Sequence, residues 1–195
     1  MKPILFNTEM VKAILDGRKT VTRRLIKPQP VADADLMYAY AASRKQDIGK
    51  WGDRKTGQTW NPPYHADDIL YVREKWARPS QTEIANGADP KMYLYATDTL
   101  QPCAWDKWRP SIHMPKEAAR IFLRVKSVRV ERLKSISVSD AMDEGVSDWN
   151  EFVTLWDSTV PKHPNKFKSY PYYWKDNPWV WVIEFERISK EEALK

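Results

Sequence analysis

The chain has one cysteine, three histidines and six glycines in 195 residues, and no long run of apolar side chains. Each scarcity excludes something. A single thiol, Cys103, forbids an internal disulfide and points to a reducing, cytoplasmic setting. Its surroundings, TLQPCAWDKW, are polar and flanked by proline. His65, His113 and His163 are far apart in sequence, and none pairs with a nearby histidine or cysteine, so no zinc-binding spacing exists. Asp67-Asp68, directly before an apolar stretch, reads as a turn rather than a cation site. With so few glycines there is no Gly-rich phosphate loop and no Gly-x-Ser-x-Gly elbow. No apolar stretch approaches a membrane span, and MKPILFNTEM lacks the apolar core and cleavage site of a secretory leader.

What is present describes a globular chain. Apolar residues make up 42% and aromatic residues 12%, enough for one sizeable core. The net charge of +6 is unevenly spread. Residues 1–30 carry seven Lys/Arg against Glu9 and Asp16, and residues 116–134 carry seven against Glu117 and Glu131. Two basic segments on a slightly acidic remainder are what an anion-binding surface requires, and nucleic acid is the commonest large anion in a cytoplasm. The same charges also serve simple solvation.

Hydropathy periods outline the elements. TEMVKAILDG predicts a helix capped by Thr8 and stopped by Gly17. DILYVREKW predicts a strand of about seven residues, and KMYLYATD a second short one. From Ala119, the apolar positions Ile121, Leu123 and Val125 alternate with Arg120, Phe122, Arg124 and Lys126; past Ser127 the phase shifts to Val128 and Val130, which calls for a bulge or bend. SVSDAMDEG predicts a helix capped by Ser137 or Ser139 and ended by Gly145, and WNEFVTLWDSTV predicts another. NPWVWVIEFERI closes the chain as a strand whose first half is apolar on both faces. Residues 27–66 show no sustained period and read as an insertion with little regular structure. Together these features predict a mixed α+β fold with about five or six strands curled into a small β-barrel, short flanking helices and long loop insertions.

Two features invite chemistry. Of ten tryptophans, Trp156, Trp179 and Trp181 read as core, whereas Trp51, Trp60, Trp105 and Trp108 lie in polar stretches. Tryptophan beside basic residues can stack on unpaired bases, or it can bury itself under its own loop. The octapeptide GRKTVTRR (17–24) follows the first helix. The helix dipole accounts for Arg18 and Lys19 near its end but not for Arg23 and Arg24 beyond it. A threonine hydroxyl becomes nucleophilic when a base takes its proton, and a lysine destabilised by burial or by other cations can be that base. In a turn, Lys19 and Thr22 can converge; in a straight strand they would point apart.

Gly17-x-Lys19-x-x-Thr22-x-Arg24 resembles the G-x-K-x-x-[E/T/S]-x-R signature of ASCH domains, members of the PUA-like β-barrel superfamily. The preceding helix, ILYVRE, the ribbon ARIFLRVKSVRVERL, the helix DAMDEG and the closing NPWVWVIEFE match in order the larger, phage- and prophage-type members. The resemblance implies a single domain over residues 1–195, with insertions around 27–66 and 77–118. It implies a cleft that binds RNA or a modified nucleoside. In members with Lys-x-x-Thr, it also implies an amidohydrolase that removes the acyl group of N4-acetylcytidine. Carried over by position, the catalytic residues are Lys19, Thr22 and Glu144. The candidate ligand-binding cations are Arg18, Arg23, Arg24, Arg73 and Arg124. No cofactor is implied for the amidohydrolase. Other members are single-stranded ribonucleases assisted by a divalent metal such as manganese, and a non-catalytic reader of modified nucleic acid is a third expectation. The Gly-Asp that opens the second strand in the family is Asp67-Asp68 here, and Glu144 also reads simply as a residue at a helix end.

Overall fold

The computed structural model describes residues 1–38, 49–98, 107–160 and 172–195; Cys103, Trp105 and His163 lie outside them, as does part of the insertion at 27–66. The chain opens with β1 (Lys2–Leu5), α1 (Thr8–Leu15) and β2 (Val21–Leu25). Three short strands follow, β3 (Leu36–Tyr38), β4 (Trp51–Asp53) and β5 (Thr59–Trp60). Next come β6 (Ile69–Arg73), β7 (Trp76–Ala77), α2 (Gln81–Ala85) and β8 (Leu94–Tyr95). The last third holds β9 (Phe122–Arg132), α3 (Val138–Asp143), α4 (Trp149–Thr159), β10 (Trp179–Ile188) and α5 (Lys190–Ala193). The fold is therefore mixed α+β. Its main sheet has five strands in the order β1-β6-β9-β10-β2, with β1 parallel to β6 and the pairs β6/β9 and β10/β2 antiparallel.

The chain divides into two compact units, one made of Met1–Thr20, Asp67–Val125 and Phe185–Lys195, the other of Val21–Ala66 and Lys126–Glu184. In the first unit, α1 begins one residue earlier than its sequence implies. Asn7, not Thr8, is the cap, and its Oδ1 accepts from Met10 N at 2.8 Å. Both residue types cap well, so composition alone does not choose between them. Gly17 ends the helix at φ +75°, a conformation that penalises any side chain with a Cβ. Asp67 also takes positive φ, and Asp68 pairs with Lys2 at 2.6 Å, so Asp67-Asp68 is the expected turn.

DILYVREKW is not one strand. It breaks after Arg73, where Glu74 turns inward: its carboxylate is almost fully buried and accepts from Arg120 Nε at 3.0 Å and from Thr97 at 3.0 Å. Of KMYLYATD, only Leu94–Tyr95 is strand, paired with Trp76–Ala77.

In the second unit, Ser137 caps α3 through a reciprocal box with Asp140, and Gly145 follows the helix at φ +88°. Asp148 caps α4, whose Phe152 and Trp156 are buried with Val21, Leu133, Val180 and Val182. Trp174 closes this cluster edge-on to Phe152 and Trp149. The insertion at 27–66 is more regular than its composition indicates: β3, β4 and β5 form an antiparallel sheet. Asp53 organises its turn, accepting from Asp35 N at 3.0 Å, Lys55 N at 3.1 Å and the Thr56 hydroxyl at 2.7 Å. Strands this short fall below any period that a sequence window detects.

β9 runs without interruption through Ser127, where the apolar phase shifts, and the division between units falls at Val125/Lys126. β10 is buried on both faces from Val180 to Ile183, as its continuous apolar run implies.

Candidate functional site

The second half of GRKTVTRR is β2, and strand alternation sorts its side chains. Thr22 lies opposite Ile183, Arg23 opposite Val182 and Arg24 opposite Trp181. Val21, Arg23 and Leu25 therefore share the face on which Val180 and Val182 pack with α3 and α4. Thr22 and Arg24 share the other face with Trp181 and Ile183. Thr22 is 2% exposed.

Arg23 is the hub of an ion network. Its Nη1 donates to Glu144 Oε1 at 3.3 Å, and its Nη2 donates to Glu131 Oε2 at 3.4 Å and lies 3.9 Å from Asp140 Oδ2. Glu131 also accepts from Arg129 Nε at 2.6 Å. Glu144 is the C-cap of α3 and is 4% exposed. For Asp140, burial alone would raise the pKa. The hydrogen bonds from Ser137 and the charges of Arg23 and Arg129 outweigh it and hold the carboxyl below the usual aspartate value. A buried carboxylate and a buried guanidinium of this kind persist only because each compensates the other.

Arg24, on the opposite face, is partly buried. Desolvation lowers its pKa, while nearby Tyr64 and Glu144 work the other way. Its cross-strand neighbour Trp181 meets Trp51 of β4 edge-on, with centroids 6.4 Å apart, and Trp51 in turn meets Tyr38 at 5.7 Å. Burial of the loop tryptophans is thus partly as expected: Trp60 is buried, with Nε1 donating to Pro28 O at 2.8 Å, and Trp51 is half-buried.

Lys19 belongs to the first unit, Thr22, Arg23, Arg24 and Glu144 to the second. The backbone N–H groups of Arg18 and Lys19 both donate to Ala13 O, wrapping the chain around the end of α1. Lys19 is 2% exposed and its Nζ stands 5.6 Å from the centre of the Phe6 ring. Arg18 is exposed and pairs with Asp16 at 3.0 Å. Arg73 packs over Tyr71 and donates to Ile112 O at 3.2 Å, and Arg124 pairs with Glu186 at 3.0 Å. These last three are held by partners of their own within the first unit.

Sequence reasoning did not identify Glu131, Asp140 and Arg129 around Arg23, nor Tyr64 and Trp51 near Arg24 and Trp181. The Ser137–Asp140 capping box was the one local signal pointing at Asp140. Glu74 and Arg120, also unforeseen, form a buried pair in the first unit, and Arg120 lies 3.8 Å from the centre of the Tyr95 ring.

No family model matches this chain, and no curated protein matches it. A solved structure that matches is protein EF3133 from Enterococcus faecalis V583, described under the family-model name DUF984. It is 11% identical over 97% of this chain and 82% of that one, with a TM-score of 0.41. A likeness at that score carries no argument about what the chain does.

Among the described residues, no group of three or more His, Cys, Asp or Glu side chains is placed to hold a metal ion. Glu131, Asp140 and Glu144 do converge, but on the guanidinium of Arg23. No helix among the described residues is long and apolar enough to cross a membrane.

Proposed function

We propose that this chain is an ASCH-type protein of the PUA-like β-barrel class. It binds RNA or a modified nucleoside at β2 and hydrolyses N4-acylated cytidine. The observation that carries the reading is that Thr22 and Arg24, both from the G-x-K-x-x-T-x-R motif, share one face of β2 beside Trp181.

The Thr22 hydroxyl attacks the acyl carbonyl carbon, forming an Oγ–C bond. The tetrahedral adduct collapses as the C–N4 bond breaks and the exocyclic amine leaves with a proton. Water then attacks the acyl-threonine, releasing the carboxylic acid and restoring the hydroxyl. Lys19 enters through the motif, three positions before Thr22. By the resemblance, the motif's lysine is the base that takes the hydroxyl proton and returns it to the leaving amine. Arg24 stabilises the oxyanion; one such donor is typically worth about 3–4 kcal/mol.

The Arg23–Glu144 ion pair favours a second reading. A carboxylate already held by a guanidinium is less available to orient a lysine or activate water, and a non-catalytic reader needs neither service. In that case Thr22 is a hydrogen-bond donor to an extruded base. A metal-assisted ribonuclease would need ligands that the Arg23 cluster does not supply, since its carboxylates already neutralise a guanidinium.

Incubation of the protein with N4-acetylcytidine, and separately with single-stranded RNA, each with manganese or with EDTA, tests these readings. Cytidine released in EDTA supports the hydrolase. Manganese-dependent strand cleavage replaces it with the ribonuclease. Saturable binding without any product leaves the reader.

A further inference from the structure

Single apolar side chains on a protein surface are ordinary, but several on two adjoining helices are not. In the second unit, Val138 and Met142 of α3 are 63% and 54% exposed, and Trp149, the first residue of α4, is 39% exposed. Val138 and Met142 stand four residues apart and share one face of the helix, while Ala141 turns into the core. The two helices lie against each other. Trp149 meets Trp174 edge-on at 89°, with centroids 5.1 Å apart, so its ring is already oriented before any partner arrives. Tryptophan is a frequent anchor of protein interfaces, and the methionine thioether adapts to the shape laid over it. The polar residues beside them have one sign: residues 137–160 hold six Asp/Glu and no Lys, Arg or His, in a chain whose net charge is +6. Asp140 and Glu144 are engaged with Arg23, whereas Asp148 and Glu151 are exposed and Asp143 is half-buried.

We propose that the α3–α4 face docks a cationic amphipathic helix of another protein. Such a helix lays its apolar side over Val138, Met142 and Trp149 and brings Lys or Arg to Asp143, Asp148 and Glu151. The sign of the face selects this occupant. Nucleic acid is repelled, because phosphates would meet carboxylates. A second copy of the chain, paired through the same face about a twofold axis, would set each carboxylate against its own kind. A small soluble cation answers the carboxylates but leaves the three apolar side chains in water, so the partner carries both charge and apolar surface. The inference does not rest on the nucleoside reading: it gives the chain a protein partner, on a surface whose charge is opposite to that of an RNA site.

The test uses the full chain and two fluorescein-labelled peptides, read by anisotropy. One is built of Leu and Lys at helical spacing; the other has Glu at every Lys. Val138→Ser/Met142→Ser removes two of the three apolar anchors, and both side chains are more than half exposed, so the fold does not depend on them. Met92→Ser, in the first unit and 48% exposed, makes the same kind of change elsewhere. The Lys–Leu peptide is expected to bind wild type and Met92→Ser alike, and Val138→Ser/Met142→Ser at least about ten-fold more weakly. Its affinity should fall as salt is added, and the Glu–Leu peptide should not bind. Equal affinity of the Lys–Leu peptide for all three proteins, no binding to wild type, or equal binding of the two peptides overturns the proposal. Self-association of the chain alone in sedimentation, abolished by Val138→Ser/Met142→Ser, also overturns it and assigns the face to a second copy.

Discussion

Arg23 and Glu144, 121 residues apart in sequence, meet at 3.3 Å with both side chains almost fully buried. This contact ties β2, which carries the candidate nucleophile, to the end of α3. Its partners Glu131 and Asp140 extend the tie to β9 and to the start of the same helix.

Removing one side of such a pair leaves an uncompensated buried charge. Arg23→Met is expected to destabilise the protein by about 3–5 kcal/mol in urea unfolding. The double variant Arg23→Met/Glu144→Met should cost clearly less than the sum of the single changes. Strict additivity would mean that the two residues do not interact.

The same network predicts an acid-sensitive component of stability. Asp140 has a lowered pKa in the fold, so its stabilisation is present above the ordinary aspartate value of about 3.9 and is lost as pH falls through the lower folded value. The stability difference between wild type and Asp140→Asn should be largest near neutral pH and should shrink steadily below about pH 4. A difference that is constant with pH would assign the role of Asp140 to hydrogen bonding alone.

In the first unit, burial is the main cause raising the Tyr95 pKa to about 12, against the pull of the Arg120 guanidinium. The unfolded chain loses this proton near the ordinary value of about 10, so the folded state is favoured below that pH and loses the advantage as pH rises toward 12. Ultraviolet titration should show one tyrosine ionising last, and Tyr95→Phe should remove that late step. A Tyr95→Phe profile identical to wild type at high pH would contradict it.

Legibility from the sequence followed the range of the interactions. β10 was readable because its apolar run and alternation are properties of consecutive residues, and α3 because Ser137 and Asp140 stand in one turn. The strands β3 to β5 were not readable, being only two or three residues long and organised by Asp53. DILYVREKW looked like one strand because the partner that draws Glu74 inward, Arg120, is 46 residues away. At the candidate site, Thr22 and Arg24 could be singled out from the motif. Arg23 looked equivalent to its neighbour Arg24, and only the register against Val182 and Trp181 shows that the two face opposite ways. The capping box marked a helix start but not that Asp140 also serves Arg23.

The most direct test of the central claim is the initial rate of cytidine release from N4-acetylcytidine in EDTA, by wild type, Thr22→Ser and Thr22→Ala. The account predicts turnover by wild type, retained in part by Thr22→Ser, which keeps a hydroxyl nucleophile. It predicts a loss of at least about a thousand-fold in Thr22→Ala, with N4-acetylcytidine still bound. Thr22→Ala turning over at the wild-type rate, or a wild-type protein that forms no cytidine, would contradict it.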